Sequence, residues 1–500
     1  MMLELAMDPA DLPRFRRMLA QKGAQQSRAA PVRRVWYDGP EDDLARAGLA
    51  LSESEGIWRL ERTAPGDEDA AGAGQSPAIL GEAREPSELG ENLPERLQPL
   101  AVLEGRERRV VLKQSPAVIV GILDGSLRSL TERRPIARLS LDGPGPALAA
   151  LAEQWAGKYA LAAPSAPLAV ESWALARSRA IPPLHSGAPL LEEGQSVEEA
   201  FLRIFGHYTA AVLSWTQTVL AEAAKLQETK LREENFDPEP VHQMRVALRR
   251  LRSAFSVFKP VIACASVAET KGRLKNFAAI LGRARDWDVF LDGLGRSILE
   301  SFPAHPAMTR LLEAARERRA QHYAALADYL REDAFRRLGV TLVALPPARP
   351  WRADAPETRL AVLEAPVIDF ARRVLHRRLR RLVADGKDFE ALPPPQLHRL
   401  RLDTKRLRYA CEFFAPLFPN RHAKRFIRRL SKVQDALGQV NDGAVVERLM
   451  EELATEKTDQ IEQAFARGVV SGYAAASAQG ARKEAGKAWE RFNELDPFWE

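Results

Sequence analysis

Two segments of this 500-residue chain carry rows of cations at helical spacing. In DPEPVHQMRVALRRLRSAFSVFKP (Asp237 to Pro260), His242, Arg245, Arg249 and Arg252 recur every three or four residues, and Ser256 and Lys259 continue the line. Side chains at that spacing share one helix face, and this row extends over roughly 25 Å at about 1.5 Å per residue. A guanidinium fork grips two anionic oxygens at once, while an ammonium acts as a point charge. The chemistry on offer is therefore the holding of phosphate-like groups. In LHRLRLDTKRLRYACEFFAP (Leu397 to Pro416) the row returns as His398, Arg401, Lys405 and Arg408. An offset of 156 residues lays one segment on the other without a gap, and it goes on to match Arg273 with Arg429 and LGRARDWDV (Leu281 to Val289) with LGQVNDGAV (Leu437 to Val445).

The first row must ride on a helix that buries its neighbouring face. Val241, Met244, Leu248, Leu251, Phe255 and Phe258 form the apolar stripe, with Asp237 expected as N-cap, Pro238 at the first helical position and Pro260 as the stop. Helical repeats usually pack on each other, because neither buries its apolar face alone. Two basic rows brought together about a pseudo-two-fold axis would make one basic groove. The first long helix of the second repeat, Ile368 to Ala384, adds Arg372, Arg373, His376, Arg377, Arg380 and Arg381, so the groove is expected to be more positive on that side.

The net charge of +6 hides an asymmetry that favours a polyanionic partner. Residues 1–190 hold 23 Lys/Arg against 25 Asp/Glu, whereas Arg372 to Lys432 hold 18 against 5. Cys264 and Cys411 match no metal-ligand spacing and read as reduced thiols. MMLELAMDPADLPRF lacks a basic segment followed by an apolar run, and no apolar stretch reaches ~18 residues, so a cytoplasmic protein without a membrane span is expected. Phosphate-loop, dinucleotide-loop and His-Glu-x-x-His signatures are absent, and no cofactor is expected. Asp286 and Asp442 read as partners for basic groups on a neighbouring helix; Asp286 with Asp288 would be a poor metal cage. His242 and His398 are left between a core hydrogen-bonding role and a channel role, as hydrogen-bond donors to phosphate or as phospho-acceptors.

The paired His-x-x-Arg-x-x-x-[Arg/Lys]-Arg-Leu-Arg helices, each followed by Leu-Gly-x-x-x-Asp, resemble the CHAD family over about residues 193–490. That resemblance implies an all-helical, two-repeat domain that binds inorganic polyphosphate in a basic channel, in some members at polyphosphate granules. The implied binding residues here are His242, Arg245, Arg249, Arg252, Lys259, Arg273, Arg373, His376, Arg377, Arg380, His398, Arg401, Lys405, Arg408 and Arg429.

The first 161 residues read as strands with interposed helices. Val35 to Gly66 and Ile122 to Gly125 resemble the CYTH family of antiparallel, tunnel-like barrels, which often hydrolyse triphosphates with a divalent metal. The chemical residues depart from that pattern. Met2 and Glu4 stand for the second Glu and the Lys of Glu-x-Glu-x-Lys, Ser52 to Glu55 for arginines, and Arg138 and Ser140 for metal-holding glutamates. Such hydrolysis needs convergent carboxylates and phosphate-binding cations, so a degenerate barrel without catalysis is expected.

The expected plan is thus a degenerate barrel (1–161), a Pro-rich linker (162–194) and an all-helical domain (195–490), with repeats at about 195–345 and 357–490. The expected function is polyphosphate binding. The alternatives are triphosphatase or polyphosphatase activity in the barrel, non-specific nucleic-acid binding, and a granule adaptor whose barrel holds a protein partner. Nucleic acid is disfavoured because the rows lack interleaved aromatics for stacking.

Overall fold

The computed structural model describes residues 2–21, 25–63, 78–90, 93–113, 115–184, 187–227, 235–303, 305–418, 421–453 and 460–500. Of the loop rich in Gly, Ala, Ser and acids that the sequence suggests over Pro65 to Ser87, residues 65–77 fall outside these residues, as does the side chain of Asp442, and Ala78–Ala83 form a strand instead.

Ten antiparallel strands open the chain: β1 (Met2–Met7), β2 (Gln25–Gln26), β3 (Ala30–Asp38), β4 (Leu49–Ser54), β5 (Ile57–Arg62), β6 (Ala78–Ala83), β7 (Gln98–Leu112), β8 (Ser115–Arg128), β9 (Arg133–Asp142) and β10 (Leu161–Ala162). Their order is β10-β1-β9-β8-β7-β3-β4-β5-β6, with β2 pairing β7. The antiparallel sheet is as expected, but among the described residues no ladder joins β6 back to β10, so the barrel is not closed. It is nevertheless strongly curled: Glu4 on β1 and Glu61 on β5 lie close enough to repel each other electrostatically.

Strand alternation sorts the two faces of the sheet. Leu3, Leu5, Val118, Val120, Ile122, Leu139 and Leu141 point to a core shared with α1 (Leu12–Gln21) and α3 (Gly145–Ala156). Trp36, Ala101, Leu103, Leu127 and Ile136 point to the inner face, where they meet Ala169 and Leu175 of α4 (Leu168–Ala176). That helix lies inside the stretch expected to be a linker. Residues 168–176 are instead a plug seated in the sheet's concavity.

The helical region starts at α5 (Val197–Ser214), capped by a reciprocal Ser196–Glu199 box as the Ser-Val-Glu-Glu sequence signals. It breaks at Trp215 before α6 (Thr216–Gln227), although the periodicity reads as a single helix to Glu228. Then follow α7 (Glu239–Val257), α8 (Lys259–Ile262), α9 (Ala265–Phe290), a π-turn at Leu291–Gly295, α10 (Arg296–Ser301), α11 (Pro306–Arg331) and α12 (Asp333–Ala348). The second repeat comprises α13 (Glu357–Glu364), α14 (Val367–Asp385), α15 (Pro394–Phe414), α16 (Arg421–Leu453) and α17 (Gln460–Asn493). Its packing extends past residue 490, since Phe498 and Trp499 are buried against Phe426 of α16.

The 156-residue offset carries α7 onto α15, α9 onto α16 and α11 onto α17. One apolar cluster runs from the sheet through α12 into both repeats, so the two halves of the chain share a core. At that junction Arg336 donates to the carbonyls of Tyr159 and Leu161 at 2.7 Å each. Gly145 approaches Pro347 so closely that a Cβ would collide with its carbonyl.

Candidate functional site

The apolar faces of α7 and α15 bury Val241, Met244, Leu248, Leu251 and Phe255 on one helix and Leu400, Leu407, Cys411 and Phe414 on the other. The cationic row of each helix borders its buried face, as the spacing predicts. Contacts between the helices run in opposite senses. Arg250 pairs with Glu412 at 3.1 Å, and Arg378 bridges Ser256 and the carbonyl of Arg406. Such antiparallel pairing is what a pseudo-two-fold relation requires.

A second pair of contacts supports the same relation. A Cβ on Gly282 would sit 2.8 Å from Nη1 of Arg245, and one on Gly438 would sit 3.8 Å from the guanidinium of Arg401. Gly282 matches Gly438 and Arg245 matches Arg401 at the common offset. The arginine of each repeat therefore lies against the helix behind it, and in the first repeat the close approach of Arg245 requires the glycine at 282.

The rows meet at Lys405. Burial drives its pKa down to about 7, helped by Arg249 and Arg245 from α7 and by Arg401 and Arg408 from α15. Arg249 is likewise lowered by burial, and it lies over the Tyr409 ring at 5.4 Å, with Arg408 over the same ring at 4.7 Å. Burial also lowers Arg252, with Arg245 adding to the shift. His242 is held below the ordinary imidazole range by burial and by Arg285, with Arg249 and Arg245 adding to the effect. Among the described residues, no carboxylate lies within ion-pair distance of Arg245, Arg249, Arg252, Arg401 or Lys405. Arg408 differs: it is tied to Glu412 and donates to Gln434 at 2.9 Å.

The other expected residues divide. Lys259 is exposed at the start of α8, His398 is exposed on α15, and Arg429 is half-buried on α16. Arg273 is drawn to Glu269 at 2.5 Å and to Thr341 at 3.1 Å, beside the sheet junction. Arg373, His376, Arg377 and Arg380 do not turn toward Lys405. They line the exposed face of α14, in an open cavity of about 910 Å³ shared with Trp499 and Glu500. Among the described residues, Arg378 of α14 reaches the α7–α15 seam and Arg381 reaches Asp403 of α15, so the helix lends the groove less positive charge than its row of bases implies.

Asp286 pairs with Arg448 of α16 at 2.5 Å. Asp288 is fully buried and accepts from the Tyr323 hydroxyl at 2.9 Å, and burial lifts its carboxyl to about 7. No cluster of three potential metal ligands occurs among the described residues. No helix among them is long and apolar enough to cross a membrane.

The sheet's inner face also gathers charge, but there it is paired. Glu171 of the plug takes Arg138 at 2.5 Å and Arg134 at 3.1 Å, and Arg138 also approaches Glu4 at 3.5 Å. Burial raises the Glu4 and Glu61 carboxyls. Sequence reading missed Glu171. Its one local signal was a lone acid within an apolar helix-length run, LAVESWALA.

The helical half is thus a two-repeat bundle with a seam in which, among the described residues, Arg245, Arg249, Arg401 and Lys405 meet no carboxylate partner. A family model described as the CHAD domain matches residues 217–451 of this chain, within its helical half. A crystal structure of the CHAD domain from the plant Ricinus communis is similar at TM-score 0.52 and 26% identity, covering 63% of this chain and 98% of that one. A structure of PptA from Streptomyces chartreusis, at TM-score 0.40 and 16% identity over 55% of this chain and 98% of that one, adds no weight. No curated protein matches the chain.

Proposed function

We propose that the protein binds inorganic polyphosphate along the seam between α7 and α15. The observation that carries this reading is the convergence on Lys405 of arginines from both repeats with no acid beside them. Like charges held together in a half-buried seam repel one another, and a polyanion relieves that repulsion while accepting charge-assisted hydrogen bonds. Arg245, Arg249, Arg252, Arg401 and Lys405 are the primary contacts, with Arg408 shared between the ligand and Glu412. His242 sits at the end of the row and gains a proton as phosphate approaches.

Polyphosphate is favoured over nucleic acid because the seam offers no stacking platform. Tyr409 is buried and its ring is already covered by Arg249 and Arg408. On this reading the protein acts in the cytoplasm at polyphosphate granules, as a binder rather than an enzyme. The inner face of the sheet has become structural, since Glu171 occupies the arginines that a phosphate would need. Titrating the full-length protein with long-chain polyphosphate, duplex DNA and single-stranded RNA at several salt concentrations tests the ligand. Polyphosphate should bind tightest, with a steep salt slope; equal or tighter binding of DNA would reject the assignment. A phosphate-release assay with magnesium or manganese tests the sheet, and turnover abolished by changes at Glu4 or Arg138 would reject its structural role.

A further inference from the structure

Arg373, Arg377 and Arg380 have no ion-pair partner among the described residues, yet they are not part of the seam. Val374, Leu375 and Leu382 of the same helix are buried, and Arg378 turns inward to the carbonyl of Arg406. At 3.6 residues per turn, Arg373, His376 and Arg380 fall about half a turn from that packed face, with Arg377 beside them. All four are exposed. The flanking cations are spoken for: Arg372 pairs with Asp369 at 3.6 Å and donates to the Trp499 carbonyl at 3.4 Å, and Arg381 reaches Asp385 and Asp403. The one carboxylate lining the cavity is that of Glu500, 3.5 Å from Nδ1 of His376.

We propose that this outer face of α14 is a second polyphosphate site, separate from the seam, so that one protein molecule can hold two polymer segments and cross-link chains. The inference rests on the polyphosphate reading of the seam. Arg373, Arg377 and Arg380 step along about 10 Å of helix, enough to engage several successive phosphates as a row of forks. Glu500 stands beside His376 as a carboxylate that an incoming anion displaces. Two sites facing different directions cannot both close on one short oligomer. On a long chain each raises the effective concentration for the other, and between chains they act as a bridge.

Two measurements on the full chain test this. Calorimetric titration with a short polyphosphate should give two sites per wild-type molecule. The variant R373A/R377A/R380A should retain one site, and R245A/R401A should retain the other. Mixed with long-chain polyphosphate, the wild type should scatter light strongly, and each variant should fall to near the baseline. E500Q should tighten the α14 site without altering the number of sites. If the α14 variant titrates and scatters as wild type while the seam variant loses all binding, the second site is refuted and the seam reading stands. If the α14 variant loses all binding while the seam variant is unaffected, both the seam reading and the two-site proposal fail.

Discussion

The inner face of the sheet and the α7–α15 seam are both rich in arginine, and they have opposite fates. In the sheet, Arg138 and Arg134 close on Glu171, with Glu4 behind them. In the seam, Arg245, Arg249, Arg401 and Lys405 face one another, while Glu412 is taken by Arg250 and Arg408 and Asp403 by Arg406 and Arg381. Arginine-rich surfaces are therefore not equivalent. A row whose charge is cancelled inside the fold holds the fold together, and a row left uncancelled is available to a ligand.

The largest effect that could sharpen this contrast is in binding. Changing Arg245, Arg249, Arg401 and Lys405 together to Ala should weaken polyphosphate binding at the seam at least about 100-fold at low salt, since each charge-assisted hydrogen bond contributes about 1.5–3 kcal/mol. The salt slope should flatten by roughly one unit for each phosphate that the seam no longer neutralises. Circular dichroism should show the helices intact, because the row lies beside the buried stripe rather than within it. Unchanged affinity would mean that the seam is as structural as the sheet.

Next in size is a stability effect without a binding effect. Glu171→Ala leaves Arg138 buried without its main partner, and breaking such a pair costs about 3 kcal/mol, read by urea unfolding. Polyphosphate affinity should stay at the wild-type value. Lost affinity with retained stability would break the contrast from the other side.

Protonation of Lys405 gives a smaller and more specific test. Its folded pKa of about 7 lies below the ordinary 10.5, so across that window the unfolded chain binds a proton that the folded seam has released. The free protein should therefore gain stability from this group as pH rises from about 7 toward 10.5. A bound polyanion reverses the shift, so binding takes up a proton and affinity should fall as pH rises from 6 to 9. Lys405→Arg stays charged throughout and should flatten that fall. A wild-type affinity indifferent to pH would show that Lys405 does not meet the ligand.

The finest test compares the repeats themselves. Ala at Gly438 meets Arg401 only at ordinary van der Waals distance, so Gly438→Ala should raise stability by up to about 1 kcal/mol through helix propensity and leave binding unchanged. Gly282→Ala pushes on Nη1 of Arg245 and should weaken binding a few-fold. Equal behaviour of the two would mean that the arginines do not rest on the glycines.

The repeat and both cationic rows were legible in the sequence, because periodicity acts over a few residues; the helix ends were less so, since α7 begins at Glu239 with Pro238, not Asp237, at the N-cap, and Pro260 lies within α8. The matching of Gly282 with Gly438 and Arg245 with Arg401 could likewise be read from the offset alone. What the sequence could not assign was which charges are cancelled. Glu171 meets Arg138 across 33 positions, Arg250 meets Glu412 across 162, and Arg273 finds Thr341 across 68. The rotation of α14 belongs with these. Its arginines have the same helical spacing as those of α15, and only packing through Val374, Leu375 and Arg378 turns them outward. Local sequence determines which face of a helix is charged. Only the tertiary structure decides what that face meets, because Coulomb energy and desolvation depend on distances that folding alone sets.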